Sequence, residues 1–289
     1  MPARPDDPGS STPPAPSELS ARRPWIDYEC HRGDLDEHVL ASITDLALAR
    51  ISTRLTLDVS AVRPVHLIVA DGANRCVDHV IWIDPPAPGR GYSVYDWFEL
   101  LFTHELTHLL VRDAWGMPAV LWWEGLAVHL GDDGVRARLF GRSYHTYCRA
   151  LAEHGALLPL EPLLRASTYY RRRTDFRVDL QAGSFCAFLL DAYGPSCVGR
   201  FVTECPRPAS EPAAAIVDPI ARRHFGDDFH ELCARWVRFL RTDVACDPSL
   251  AEGLRARRLG ETQDGTPHCD HCFEHTTLAS VCERCSQAT

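Results

Sequence analysis

Five consecutive residues of this chain have the types and spacing of a metal-ligating, proton-transferring set: His104-Glu105-Leu106-Thr107-His108. Residues four apart on a helix sit one above the other, so both imidazoles can reach one zinc ion. The carboxylate between them lies alongside the metal, where it can take a proton from water and pass it to a leaving amine. Zinc lowers the pKa of a bound water from its bulk value toward roughly 7, which yields a hydroxide-like nucleophile at neutral pH. A catalytic zinc needs a third protein ligand and one open position. Sixteen residues past His108 stands Glu124, within Trp122-Trp123-Glu124-Gly125-Leu126-Ala127. A carboxylate between tryptophans and small residues demands a partner, and a metal is a good one. His104, His108 and Glu124 are the expected zinc ligands, and Glu105 is the expected general base.

A second set lies near the end of the sequence. Cys269-x-x-Cys272 and Cys282-x-x-Cys285 are two thiolate turns separated by nine residues. Each turn presents two sulfurs, and together they complete a tetrahedral four-thiolate site with no position left open. The expected role is structural, since so short and polar a segment needs a metal to fold. His268, His271 and His275 crowd the same stretch, so a mixed set of ligands fits as well. A redox dithiol pair or a rubredoxin-like iron site is the alternative for this spacing. The segment resembles zinc-ribbon and zinc-knuckle modules. Its acids outnumber its arginine, so it is expected to contact protein rather than nucleic acid. The other eight cysteines (30, 76, 148, 186, 197, 205, 233 and 246) have no ligand spacing. Cys30, beside His31, is the one that could reach the catalytic zinc as an inhibitory thiolate.

The elements that must position the first site follow from periodicity and punctuation. Apolar spacing predicts a helix over 35–55. Two β-branched runs, 64–70 and 79–84, read as strands separated by the turn-prone Asp71-Gly72-Ala73-Asn74. Residues 85–92 read as a loop. Ser93 with Asp96 resembles a capping box that opens the histidine helix. Gly116 and Pro118 close that helix and open another over 119–130, which stops at Gly131. Further helices are expected near 134–153, 182–193, 196–204 and 228–242. His129 and His145 read as ordinary polar residues rather than ligands. Arg171-Arg172-Arg173, with Arg165 and Arg177, reads as a basic loop that is either solvated or receives a substrate carboxylate.

Four segments are expected: a proline-rich disordered tail at 1–24, a catalytic domain at 25–245, a linker at 246–266 and the four-cysteine module at 267–289. The catalytic domain resembles the gluzincin metallopeptidases, specifically the bacterial peptidase MA-like group. HELTH and WWEGLA carry the resemblance, and two later stretches agree with it. Gln181-Ala182-Gly183-Ser184-Phe185 is similar to one family helix, and Phe225-Gly226-Asp227-Asp228-Phe229 with Leu232 and Trp236 is similar to the closing one. The resemblance spans about 35–242. It implies an α+β, zincin-like fold with a small sheet above the zinc helix, a helical half below and a cleft between them. Where the family often carries a tyrosine that would stabilise the oxyanion, this chain has Asp179, which would repel it. Tyr169, Tyr170 and Arg177 are the candidates to replace it. The aspartate of thermolysin-like enzymes, four residues past the ligand glutamate, is here Val128. Asp132 and Asp133 are the nearest candidates to orient the histidines.

Composition narrows the chemistry. The chain has 289 residues, 12 cysteines and 30 basic residues, all of them arginine. The absence of lysine excludes Schiff-base and phosphate-loop lysine mechanisms. A net charge of −9 argues against general nucleic-acid or anionic-membrane binding. Residues 1–24 have no apolar export core and no run is long enough to span a bilayer, so a cytoplasmic location with reduced thiols is expected. The sequence therefore predicts a zinc peptidase acting on peptide or protein substrates, with one catalytic and one structural Zn2+. A catalytically weak zinc-binding domain that serves as an interaction or adaptor module is the alternative.

Overall fold

The computed structural model describes residues 25–59, 63–72, 74–85, 93–173, 175, 177–205 and 213–250. The tail at 1–24, most of the loop at 85–92 and the four-cysteine module lie outside the described residues.

The first helix, α1 (Glu37–Leu55), starts at a side-chain cap. The Asp36 carboxylate accepts hydrogen bonds from the backbone N–H groups of His38 and Val39, which satisfies donors with no partner inside the helix. Its buried residues, Leu40, Thr44, Ala47, Ile51 and Leu55, recur every three or four positions and turn one face toward the next helix.

Four strands form one sheet in the order β1-β2-β4-β3. Strands β1 (Ile26–Cys30), β2 (Val65–Val69) and β4 (Val80–Ile83) are parallel to one another, and β3 (Arg75–Val77) runs antiparallel along the β4 edge. Val65, Leu67 and Val69 of β2 and Ile81 and Ile83 of β4 point into the core. The sequence predicts β2 and β4 and misses the two edge strands. β3 has only three residues, and its hairpin turn is Asp78-His79. Both turn residues have positive φ, 48° and 66°, the backbone that a two-residue hairpin requires. Asparagine or glycine usually marks such a turn, and neither stands here.

The central helix, α2 (Val94–Trp115), opens with the expected capping box. Ser93 and Asp96 each accept from the other's backbone N–H, at 3.0 and 3.1 Å respectively. Phe98, Phe102, Leu106 and Leu109 are fully buried around the helix, because α1, the sheet and α3 (Val120–Val128) all pack on it. The turn at Gly116 and Pro118 sends α3 back against α2.

Beyond α3 the structure departs from expectation. The helix does not stop at Gly131. It continues through a π-helical turn, His129–Asp133, into α4 (Gly134–Phe140). Gly131 is needed for proximity rather than termination: a Cβ there would stand 2.8 Å from the Leu100 carbonyl oxygen and 3.0 Å from the His104 backbone nitrogen. The positive φ of Gly141, 65°, then separates α4 from α5 (Tyr144–Glu153), which the sequence reads as one helix.

The second half of the chain is helical and consists of α5, α6 (Ala166–Arg171), α7 (Arg177–Tyr193), α8 (Pro195–Glu204), α9 (Ala213–Phe225) and α10 (Phe229–Thr242). α6 is only six residues long. α9 is not among the expected helices, and it carries Pro219 inside it, where proline normally argues against a helix. Trp122 of α3 anchors this half, with its ring 5.2–5.8 Å from those of Phe185, Phe201 and Phe229. Ser184 accepts a hydrogen bond from the Trp236 indole at 3.0 Å. The first residues of the 246–266 segment are tied to this body: Arg142 donates to Asp247 at 2.7 Å and to Ser249 at 3.1 Å, and Leu250 is buried.

The architecture is thus α+β, mostly helical with one small sheet. Among the described residues, no helix is long and apolar enough to cross a membrane.

The α3–α7 contact depends on one missing side chain. A Cβ on Gly125 would stand 2.6 Å from both the Ala182 carbonyl oxygen and the Cys186 sulfur. In an exposed helix, glycine to alanine stabilises by about 1 kcal/mol. Here we expect the opposite sign: Gly125→Ala costs about 1–3 kcal/mol through overpacking, read as a lower denaturation midpoint. An unchanged or raised midpoint would show that the two helices separate freely.

Candidate metal centre

Helix α2 carries His104 and His108 one turn apart, and the returning α3 brings Glu124 to them. The two Nε2 atoms are 3.1 Å apart, and Glu124 Oε2 lies 3.5 Å from the first and 3.7 Å from the second. A tetrahedral zinc with ligand bonds of about 2.0–2.1 Å would space neighbouring donors about 3.3 Å apart. The observed triangle is close to that spacing. Among the described residues, these three are the one group of histidine, cysteine, aspartate or glutamate donors whose ligand atoms all lie within 4.8 Å of one another. The donor set of two imidazoles and a carboxylate suits zinc and leaves a fourth position for chemistry.

Neighbours hold these donors in place. The Trp123 ring stacks on His108, with centroids 4.5 Å apart and planes within 13°, which fixes the imidazole orientation. The Tyr170 hydroxyl donates to Glu124 Oε1 at 2.8 Å, leaving Oε2 to face the histidines. Arg173 approaches the same Oε2 at 3.8 Å. Glu124 is only 4% exposed. Burial by itself would raise its carboxyl pKa, but contact with His104, the charge of His108 and that of Arg173 outweigh burial and hold it at about 2. Glu124 therefore stays ionised, as a ligand must.

Glu105 lines the cleft beside the ligands. Burial pushes its carboxyl above the usual carboxylate range, against the lowering effects of His104 and Arg173. The cleft measures about 240 Å3, and the sheet edge, α2, α3 and the end of α6 surround it. Residues that the sequence does not point to also line it: Asn74, Arg75 and Cys76 from the β3 edge, and Arg112 and Trp123 from the helices. Arg112 had a signal, since it lies one further turn along the histidine face of α2. The three sheet-edge residues had none, because β3 itself is not legible. Burial pushes the Cys76 thiol up to about 11, which favours its neutral form at pH 7.

The other expected residues have different partners. Tyr169 is fully buried, and its hydroxyl donates to Asp179 at 2.8 Å. Burial also raises the Asp179 carboxyl pKa. Only Tyr170 of the two adjacent tyrosines lines the cleft. Arg177 pairs with Asp175 at 2.7 Å. The Cys30 thiol donates to the Arg32 carbonyl oxygen and does not belong to the donor triangle. His129 faces Asp133, and His145 contacts the Ser184 hydroxyl at 2.8 Å. Asp133 accepts from the Tyr144 backbone N–H at the start of α5. Asp132 pairs with Arg136 at 3.3 Å and lies close enough for its charge to interact with His104.

A metal that binds the folded state alone stabilises it by about 2.7 kcal/mol at a hundred times its Kd. The full chain with His104→Ala and His108→Ala is expected to hold one zinc fewer than the parent protein and to lose this part of the zinc-dependent rise in melting temperature. Elemental analysis and thermal unfolding check both. Equal zinc content in the two proteins would mean that these histidines hold no metal.

Against known proteins, the chain matches no family model, no curated protein and no solved structure.

Proposed function

We propose that this chain is a zinc-dependent peptidase of gluzincin type. One observation carries the reading: the His104, His108 and Glu124 donors converge as a zinc site requires, with Glu105 on the wall of the same open cleft. The HELTH and WWEGLA motifs and their family resemblance support it.

When bound, zinc supplies Lewis acidity that acidifies a water and polarises a carbonyl oxygen. The chain's own groups do the rest. Glu105 accepts the proton of the attacking water and then protonates the leaving amine. Tyr170 fixes Glu124 through Oε1, so that Oε2 keeps its aim. A hydroxyl has one proton, and Tyr170 directs its proton at Glu124; this makes it a positioning residue while that bond lasts. β3 is an edge strand of the sheet, with Asn74 and Cys76 on the cleft wall, and an extended peptide can pair with such an edge.

A second reading is a zinc-binding module with little hydrolytic power. The observation that favours it is the Tyr169–Asp179 pair, which turns one tyrosine away while Tyr170 is engaged with Glu124. The intact Glu105 favours the enzyme.

Glu105→Gln separates the two. The variant should keep its zinc and lose about 10²- to 10⁴-fold of its cleavage rate against a peptide library. Equal cleavage by both proteins would remove Glu105 from the mechanism. Cleavage by neither would support the second reading.

A further inference from the structure

The chain has an excess of acids, yet its cleft is lined by arginine. Arg112 from α2 and Arg173 from the segment after α6 reach it from different sides; Arg75 of β3 also lines it, but its guanidinium turns onto the Trp82 ring on the other face of the sheet. Against them the lining holds two carboxylates, Glu105 and the ligand Glu124. A bound divalent metal would increase the positive surplus.

No carboxylate locks these arginines in place. Several arginines outside the cleft are so held: Arg138 donates to Glu99 at 2.9 Å, Arg142 to Asp247 at 2.7 Å and Arg177 to Asp175 at 2.7 Å. The nearest carboxylate to Arg173 is Glu124 at 3.8 Å, and the nearest to Arg112 is Asp113 at 3.6 Å, which His79 and Arg63 also approach. Arg75 lies over the Trp82 ring at 4.4 Å. Among the described residues, none of the three makes a hydrogen bond to a carboxylate. Arg173 is half exposed. A guanidinium presents a fork of N–H donors that matches a carboxylate in two parallel bonds. Two such forks around one small cleft also draw anionic ligands toward it.

We propose that the cleft selects peptides presenting a carboxylate near the bond to be cut, received by Arg173 and Arg112. This rests on the peptidase reading and names its substrate class. The carboxylate has two sources in a peptide, the chain end or an aspartate or glutamate side chain.

The test measures binding, so that it does not depend on turnover. The zinc-loaded Glu105→Gln full chain is immobilised and exposed to four pools of fluorescent random pentapeptides. The pools combine a free or amidated C-terminus with the presence or absence of aspartate and glutamate. At least one carboxylate-bearing pool should be retained about tenfold or more over the amidated, acid-free pool, as a hydrogen bond to a charged group implies. The enriched pool identifies the source. Rising salt should narrow the difference, and Arg112→Gln with Arg173→Gln should remove it while leaving zinc content intact. Equal retention of all four pools, or a preference that survives both substitutions, would overturn the proposal. Carboxylate preference without cleavage by the parent protein would instead overturn the peptidase reading. Cleavage without the preference would leave that reading standing and sink this one.

Discussion

The buried charge of Glu124 is the constraint on which the rest of this structure depends. A carboxylate taken out of water is costly unless opposite charges and hydrogen bonds surround it. Glu124 meets His104 and His108 on one oxygen and Tyr170 on the other, with Arg173 close by. That arrangement forces α3 to lie tightly against α2. The polypeptide permits the approach by omitting side chains where the helices meet. Gly125 lets α3 press on α7, and Gly131 lets the π-helical turn pass across the backbone of His104. π-helical turns are rare and concentrate near functional sites; this one follows directly from α3.

The two halves of the protein contribute differently. The sheet and α1 hold α2 from one side, and the edge strand β3 forms the upper wall of the cleft. The aromatic cluster around Trp122 holds α3 from the other side. Adjacent tryptophans therefore do separate work: Trp122 fixes the helix in the core, while Trp123 stacks on the His108 imidazole. A cleft at the junction of two such halves can have rigid ligands and a wall built from a strand edge and a short helix end.

The sequence was most legible where chemistry imposes spacing. His104, Glu105 and His108 share a helix whose capping box is visible at Ser93 and Asp96. Glu124 announced itself as a charge in an apolar setting. Other features had no local signature. β3 is too short for alternation to show, and its Asp78-His79 turn lacks glycine. α9 contains Pro219, a residue that usually ends a helix, and Gly131 looked like a helix stop when its real constraint is a contact with α2 more than twenty residues earlier in the chain. The cleft arginines were hidden for the same reason. Arg173 stood out only as part of a basic run, and its neighbours Arg75 and Arg112 join it only through tertiary packing. Tyr169 and Tyr170 are equivalent in sequence, and the turn of α6 alone separates a core hydroxyl on Asp179 from one on Glu124.

The most direct test of the central claim is anomalous diffraction at the zinc edge from crystals of the full chain grown with zinc. We expect a peak bonded to His104 Nε2, His108 Nε2 and Glu124 Oε2, with Glu105 facing its open side. A map with zinc present elsewhere and no peak among these three atoms would contradict it.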